Sequence, residues 1–234
     1  LWKYTPGATI LTGVIPAPPP STPDLLRVSR SPYIPGLAPK LVTGGLTLTF
    51  SQGIDNHVGT PGALAPTVYQ ASASLDFTDP LTRLTVDGPV VINVAGDITL
   101  GTPSGAKIIV GPMGSAEIHF SGTFSCVDLT GGGIENQSFN PLKLVFIGTG
   151  TGVNTFNCTT DFYGAIYTPN ADITWSGGNL YGALSAKNIT LNGGWVHYDV
   201  ALRKLSVGGV DSVYVISKWR EITSPTDPDR VPGW

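Results

Sequence analysis

Leu46-Thr47-Leu48-Thr49-Phe50 alternates apolar and polar residues strictly, the signature of a strand with one buried face. Residues 51–66 carry Gly53, Gly59, Pro61, Gly62 and Pro66 and read as a loop. Val68 to Phe77 reads as a further strand, stopped by Asp79-Pro80. From Leu84 the pattern becomes regular. Strands are predicted near Leu84–Val86, Val90–Val94, Asp97–Leu100, Lys107–Val110, Ala116–Phe120 and Thr123–Leu129. More follow near Leu142–Ile147, Thr155–Thr159, Phe162–Tyr167, Asp172–Trp175, Leu180–Leu184, Asn188–Leu191 and Trp195–Tyr198. Gly, Asn, Pro and Ser fill nearly every gap, and Gly131-Gly132-Gly133 up to Pro141 reads as a larger loop. The segment Leu25-Leu26-Arg27-Val28 is too short and too close to prolines to be a helix.

One stretch of this pattern is written twice. Tyr163-Gly164-Ala165-Ile166 returns as Tyr181-Gly182-Ala183-Leu184, 18 residues on. Asp172-Ile173-Thr174-Trp175-Ser176-Gly177 returns as Asn188-Ile189-Thr190-Leu191-Asn192-Gly193, 16 residues on. Gly96-Asp97-Ile98-Thr99-Leu100-Gly101 is a weaker third copy. In each copy the Ile and the Leu or Trp are two residues apart and share one side of a strand. The Asp or Asn and the Thr share the other side. A short unit of strands and glycine turns buries its apolar face by stacking on copies of itself. The expected fold is all-β: a single-stranded β-solenoid, or β-helix, of right-handed coil. About 18–20 residues per coil gives on the order of six coils, about 4.8 Å apart, in a stack nearly 30 Å long. Inward apolar residues would form a column, with Trp175 in the slot of Leu100 and Leu191, and outward threonines a ladder. Both ends of such a stack expose strand edges that need covering. Leu46–Phe50 and Val213-Tyr214-Val215-Ile216 are the candidate caps.

Composition adds the setting. Charged residues make up 12% of the 234, well under the usual share, against 30 glycines and 20 prolines. That balance is typical of extracellular β proteins and does not fit a disordered charged chain. A net charge of −3 leaves no basic footprint for nucleic acid. No apolar run approaches the length that spans a bilayer. A chain starting at Leu1 is expected to be a processed product or a fragment. Nine of the 20 prolines fall in residues 1–40, including Pro18-Pro19-Pro20, which favours an extended arm. The expected organisation is an arm over 1–45, a solenoid domain with capping strands over 46–222, and a tail over 223–234. The arm serves either as a strap along the domain or as a reach to a neighbouring subunit.

Cys126 and Cys158 sit in strand-like stretches 32 residues apart, roughly two coils at the repeat length. In an exported protein they would form a disulfide, with a loop closure contributing about 3–4 kcal/mol. In a cytosolic protein they would be two buried thiols. They make a poor zinc site. His57, His119 and His197 share no metal-like spacing, and in alternating strands His119 and His197 are expected to face solvent. Neither a Gly-x-Ser-x-Gly elbow nor a phosphate loop occurs, so no catalytic, cofactor or metal residue is assigned.

The carboxylates Asp97, Glu117, Asp128, Asp161, Asp172 and Asp199 form no forced pair of the kind that cleaves glycosides. Asn188 replaces Asp172 in the repeat, which suggests local turn hydrogen bonding at that position and not acid catalysis. The triplets at Asn136, Asn157 and Asn188 match the glycosylation pattern but read as chance in so Asn-, Ser- and Thr-rich a chain. The candidate interaction surface is aromatic: Trp195, Tyr198 and Trp219, with capping of the last coil as the simpler role for the first two.

The tract Phe162-Tyr163-Gly164-Ala165-Ile166-Tyr167-Thr168-Pro169-Asn170-Ala171-Asp172-Ile173-Thr174, with Leu180–Leu184, Asn188–Leu191 and His197-Tyr198-Asp199, resembles the uncharacterised C-terminal domain of bacterial PilX-like type IV pilus assembly proteins. Gly88–Ile98 and Trp219-Arg220-Glu221 fit the same pattern, so the resemblance runs from Leu84 to Ile222. It implies an exported, envelope-associated, noncatalytic β-solenoid. The expected function is therefore that of an extracellular structural protein, a pilus-associated component or a subunit of a surface filament. It would assemble with copies of itself or with other surface subunits through the arm and the solenoid ends. The alternatives are a glycan-binding adhesin module using Trp195 and, third, a polysaccharide-active β-helix enzyme.

Overall fold

A computed structural model describes residues 44–101, 105–128, 132–158, 160–199 and Leu202. Among these residues the chain forms sixteen strands and one 3-10 turn (Pro141–Lys143). In order the strands are β1 (Leu46–Thr47), β2 (Asp55–Val58), β3 (Thr67–Ala71), β4 (Leu75–Asp76), β5 (Arg83–Val86), β6 (Pro89–Val94), β7 (Ile98–Leu100) and β8 (Lys107–Val110). They continue with β9 (Ser115–Phe120), β10 (Phe124–Asp128), β11 (Gly133–Asn136), β12 (Leu144–Gly148), β13 (Val153–Cys158), β14 (Phe162–Trp175), β15 (Leu180–Leu191) and β16 (Val196–Tyr198).

The fold is all-β, and all the pairings among these strands are parallel. A parallel neighbour cannot be reached by a hairpin, so adjacent strands are separated by a full pass of the chain. Twelve strands form one curled sheet with two limbs. The first limb holds β1, β3, β6, β9 and β12, then the first halves of β14 and β15, then β16. The second holds β4, β7, β10 and β13, then the second halves of β14 and β15. The limbs meet inside β14 and β15, where the register slips between Thr168 and Asp172. The strands β2, β5, β8 and β11 make a separate four-stranded sheet, a third side. After β13 the chain runs straight into β14, so the passes through β14 and β15 place no strand on that side.

The interior follows from the alternation. In β5 and β8 Leu84, Val86, Ile108 and Val110 are buried and their neighbours are not. On the second limb Leu100, Cys126, Phe156, Trp175 and Leu191 stack in register as one buried column. Rings in this column lie face to face, Phe156 on Trp175 with centroids 5.5 Å apart. Burying each such side chain stabilises the fold by about 1.5–3 kcal/mol. On the outer face Thr99, Ser125, Thr155, Thr174 and Thr190 line up as the expected polar ladder. The duplicated tract is in register with itself, Tyr163 beside Tyr181 and Ile173 beside Ile189. Its glycines are required by close approach: a Cβ on Gly182 would run into the carbonyl of Gly164, and one on Gly164 would meet the carbonyl oxygen of Leu144 at 2.7 Å.

Several expectations are corrected. The step of 18–20 residues holds only around β14: Val145 lies beside Ala165, 20 residues on, and Phe162 beside Leu180, 18 on, but Leu180 lies beside Val196, 16 on, Thr67 beside Val90, 23 on, and Ala116 beside Leu144, 28 on. The earlier passes are longer because they include the third side. Cys126 and Cys158 are therefore one pass apart, not two: Cys126 pairs with Phe156, two residues before Cys158. Residues 51–66 contain β2, and the loop before Pro141 contains β11. Val68–Phe77 is two strands on different limbs, and the pairs read as separate strands across 162–175 and 180–191 are continuous. His119 is wholly buried. It faces outward in parity, but the first limb is covered on its outer side too, where Leu202 packs with Val145, Ile147 and Ala165. Residues 1–43 of the expected arm, Val213–Ile216, Trp219 and the tail over 223–234 lie outside the described residues.

Candidate functional site

Among the described residues the third side stops at β11, and a groove of about 590 Å³ opens at the step. Ile134, Glu135, Asn136, Gln137 and Phe139 line it from β11 and the turn after it, and Thr160, Asp161 and Tyr163 from around the start of β14. The step leaves β11 as a sheet edge, and its outward carbonyls are already occupied. The Thr160 hydroxyl donates to the Ile134 carbonyl at 3.3 Å, and the Phe139 N–H donates to the Asn136 carbonyl at 3.1 Å.

Asn136 organises the turn that follows. Its side chain is buried, and its Nδ2 donates to the carbonyls of Asn140 and Tyr163, each at 2.9 Å. Its Oδ1 accepts from the Ser138 N–H at 3.1 Å and from the Ser138 hydroxyl at 2.7 Å. One amide thus ties the turn to the next pass. Phe139 sits in this turn with φ of 52°, the one non-glycine residue of positive φ among the described residues. That conformation costs an L residue about 1–2 kcal/mol, and the ring it presents is 67% exposed. Phe139 meets Tyr163 edge to face at 5.1 Å. From Tyr163 an aromatic column continues along the outer face of the first limb: Tyr181 stacks on it at 4.6 Å and His197 on Tyr181 at 4.5 Å, both near-parallel.

The polar groups are set in place. Gln137 Nε2 donates to Glu135 Oε1 at 3.0 Å, and Lys107 Nζ lies 3.3 Å from the other oxygen. The Gln137 hydrogen bond, aided by the Lys107 charge, holds the Glu135 carboxyl below its usual range, so it stays ionised. Asp161 Oδ1 accepts from the Asn179 N–H at 2.9 Å. Burial, with Tyr181 and Asp161 beside it, pushes the Tyr163 hydroxyl up, so it remains a neutral donor and acceptor.

Cys126 and Cys158 are joined, with Cα atoms 6.1 Å apart, and the bridge sits against the entry to β11. A Cβ on Gly133 would lie 2.8 Å from the Cys158 sulfur and 3.3 Å from that of Cys126. Of the carboxylates that the sequence singles out, only Asp161 lines the groove. Asp97 and Asp172 bond across passes, not within a local turn: Asp97 Oδ1 accepts from the Thr123 N–H at 2.6 Å and Asp172 Oδ1 from Asn188 Nδ2 at 2.7 Å. Glu117 pairs with His119 at 2.6 Å. Trp195 is half-buried and Tyr198 36% exposed, both at the last strand and outside the groove. Sequence reasoning missed Glu135, Gln137, Phe139 and Tyr163. The available signal was one aromatic, Phe139, isolated in an otherwise polar turn. No cluster of His, Cys, Asp and Glu able to hold a metal occurs among the described residues, and no helix there is long and apolar enough to cross a membrane.

A family model described as a domain of unknown function (DUF7305) matches residues 48–205, more than half of the chain, and the chain belongs to that family. No curated protein and no solved structure matches the chain.

Proposed function

We propose that the chain is an exported, noncatalytic β-solenoid serving as a pilus-associated structural component of the cell surface. Parallel passes with in-register columns support the solenoid reading. The disulfide is compatible with an extracellular place. Residues that resemble the PilX-like domain supply the link to pili.

The observation that carries an assembly role lies at the last strands. Leu184, Ile189 and Val196 continue columns whose preceding members, Ile166, Ile173 and Leu180, are buried, yet all three are only partly buried. Among the described residues these core columns stop at the last pass, beside β16, Trp195 and Tyr198. An apolar strand edge of this kind invites a partner.

The two ends of the described strands differ, which supports a component over a filament subunit. The first passes have three sides and the last have two. A copy stacked head to tail could continue only two of the three ladders. Finite complexes with a second surface subunit fit this better than an open filament of identical chains, and the proline-rich arm supplies a second contact. Analytical ultracentrifugation and electron microscopy of the full chain test the reading. Concentration-dependent finite oligomers, or a stoichiometric complex with a pilus subunit, are expected, both lost in Ile189→Lys. A chain that stays monomeric and binds no pilus subunit sinks the proposal. Deleting residues 1–40 without effect on association removes the arm from it.

A further inference from the structure

We propose that the groove at the end of the third side binds an uncharged saccharide. Its volume of about 590 Å³ falls in the range of small-ligand sites. The lining combines two aromatic rings, Phe139 and Tyr163, with the acceptors and donors of Glu135, Gln137, Thr160 and Asp161. Rings beside carboxylates and amides suit a ligand with apolar C–H faces and many hydroxyls: the rings cover the faces, and the carboxylates accept from the hydroxyls.

Charge narrows the class. Among the described residues two carboxylates and no cation line the groove. The Lys107 ammonium is engaged with Glu135 from outside that lining. An anionic ligand would therefore be repelled, whether phosphate, nucleic acid or acidic sugar.

The backbone decides against the other occupant a sheet edge offers, an added strand. Strand addition works through free main-chain groups. Here the Ile134 carbonyl is taken by Thr160 and the Asn136 carbonyl by Phe139 N–H. The acceptor half of this edge is occupied, which favours binding through side chains.

The turn is also organised beforehand. Phe139 is held at φ 52° with its ring in solvent by the four hydrogen bonds of buried Asn136. Strained backbone persists where the surroundings over-determine it, and such positions concentrate at ligand sites. A groove shaped before binding loses less entropy on binding. The inference is independent of the assembly reading, which concerns the last pass on both limbs.

A printed array of neutral and sialylated glycans, probed with the full chain and followed by calorimetry on the strongest neutral hit, tests this. The wild-type chain is expected to retain neutral glycans. Phe139→Ala should weaken the hit at least tenfold and Gln137→Ala about threefold or more, since Gln137 also positions Glu135. Trp195→Ala should leave it unchanged. Near-ultraviolet circular dichroism shows that each variant is folded, and Gln137 is exposed enough for its truncation to spare the fold. Three results would each overturn the proposal: no neutral glycan retained above the Phe139→Ala level, retention of sialylated glycans alone, or affinity that neither groove variant lowers. A peptide of residues 211–221 that protects the β11 amides from exchange would reassign the groove to strand addition and overturn it as well.

Discussion

Opening the Cys126–Cys158 bridge should be the most destabilising single chemical change that removes no atom from the core. The bridge closes a loop of 32 residues. Chain-entropy arithmetic for that loop length gives about 3.7 kcal/mol at 25 °C. Native packing changes little on reduction, because Cys126 is fully buried between Leu100 and Phe156 and its thiol fills nearly the same space. The effect therefore falls on the unfolded chain. For a domain of this size each kcal/mol moves the thermal midpoint by about 2–4 °C, so reduction should lower it by about 7–15 °C. The slope of urea unfolding should rise as well, since an uncrosslinked unfolded chain exposes more surface. Urea and thermal melts with and without a phosphine reductant, with thiols counted by mass shift after alkylation, measure both effects. Hydrogen exchange adds a local readout. The sulfurs press on Gly133, so the Ile134–Asn136 amides should lose more protection on reduction than those of Leu84–Val86. Full reduction with a midpoint shift under about 2 °C would refute the entropic reasoning.

Other expectations test separate joints. Gly182→Ala places a Cβ against the Gly164 carbonyl and should cost about 3 kcal/mol, whereas Gly193→Ala, whose Cβ would meet nothing closer than 3.6 Å, should stay within about 0.5 kcal/mol in the same urea melts. Asn136→Ala leaves the Tyr163 and Asn140 carbonyls without their donor and should cost about 2–3 kcal/mol, with faster exchange across residues 137–140. His57 is held above its ordinary 6.5 by the hydrogen bond to Asp87 at 2.7 Å, with Asp55 adding to it. Because the folded value is the raised one, this stabilisation is complete below about pH 6.5 and is lost as pH rises through the folded value. Urea midpoints from pH 5 to 9 should show that loss in the wild type and not in His57→Gln, and an NMR titration of His57 below 6.5 would refute it.

Most strands were legible because the inward positions that mark them are apolar: Leu84 and Val86, Ile108 and Val110, Ile173 and Trp175. The two strands that escape the pattern, β2 and β11, share a cause. Their inward positions are Asn56 with Val58 and Ile134 with Asn136, so a buried amide interrupts the apolar alternation. Those amides are there for the backbone: Asn56 Nδ2 donates to the Ser51 carbonyl at 2.9 Å and to that of Arg83, one pass on, at 3.0 Å. His119 departs from expectation for a different reason. Parity tells which face of a strand a side chain takes, but whether that face meets solvent depends on what packs outside it.

Only the short copy of the repeat over 96–101 lies in an earlier pass, and the repeat was clearest where the third side is missing. There the turns are shortest and successive passes keep nearly the same length, Phe162 to Leu180 and Leu180 to Val196. Earlier passes carry an extra strand and its loops, and their step drifts with each insertion. The place where the step shortens is also where β11 is left as an edge, and an edge has to be capped. Thr160 and the turn after Asn136 do this through hydrogen bonds alone, with no apolar column to continue. Gln137 and Phe139 are therefore released from the stacking rule that fixes their counterparts elsewhere. An aromatic ring in solvent at such a position needs a reason other than packing. In a chain built of stacked passes the period reports architecture, and the break in the period is where residues become free to serve a ligand.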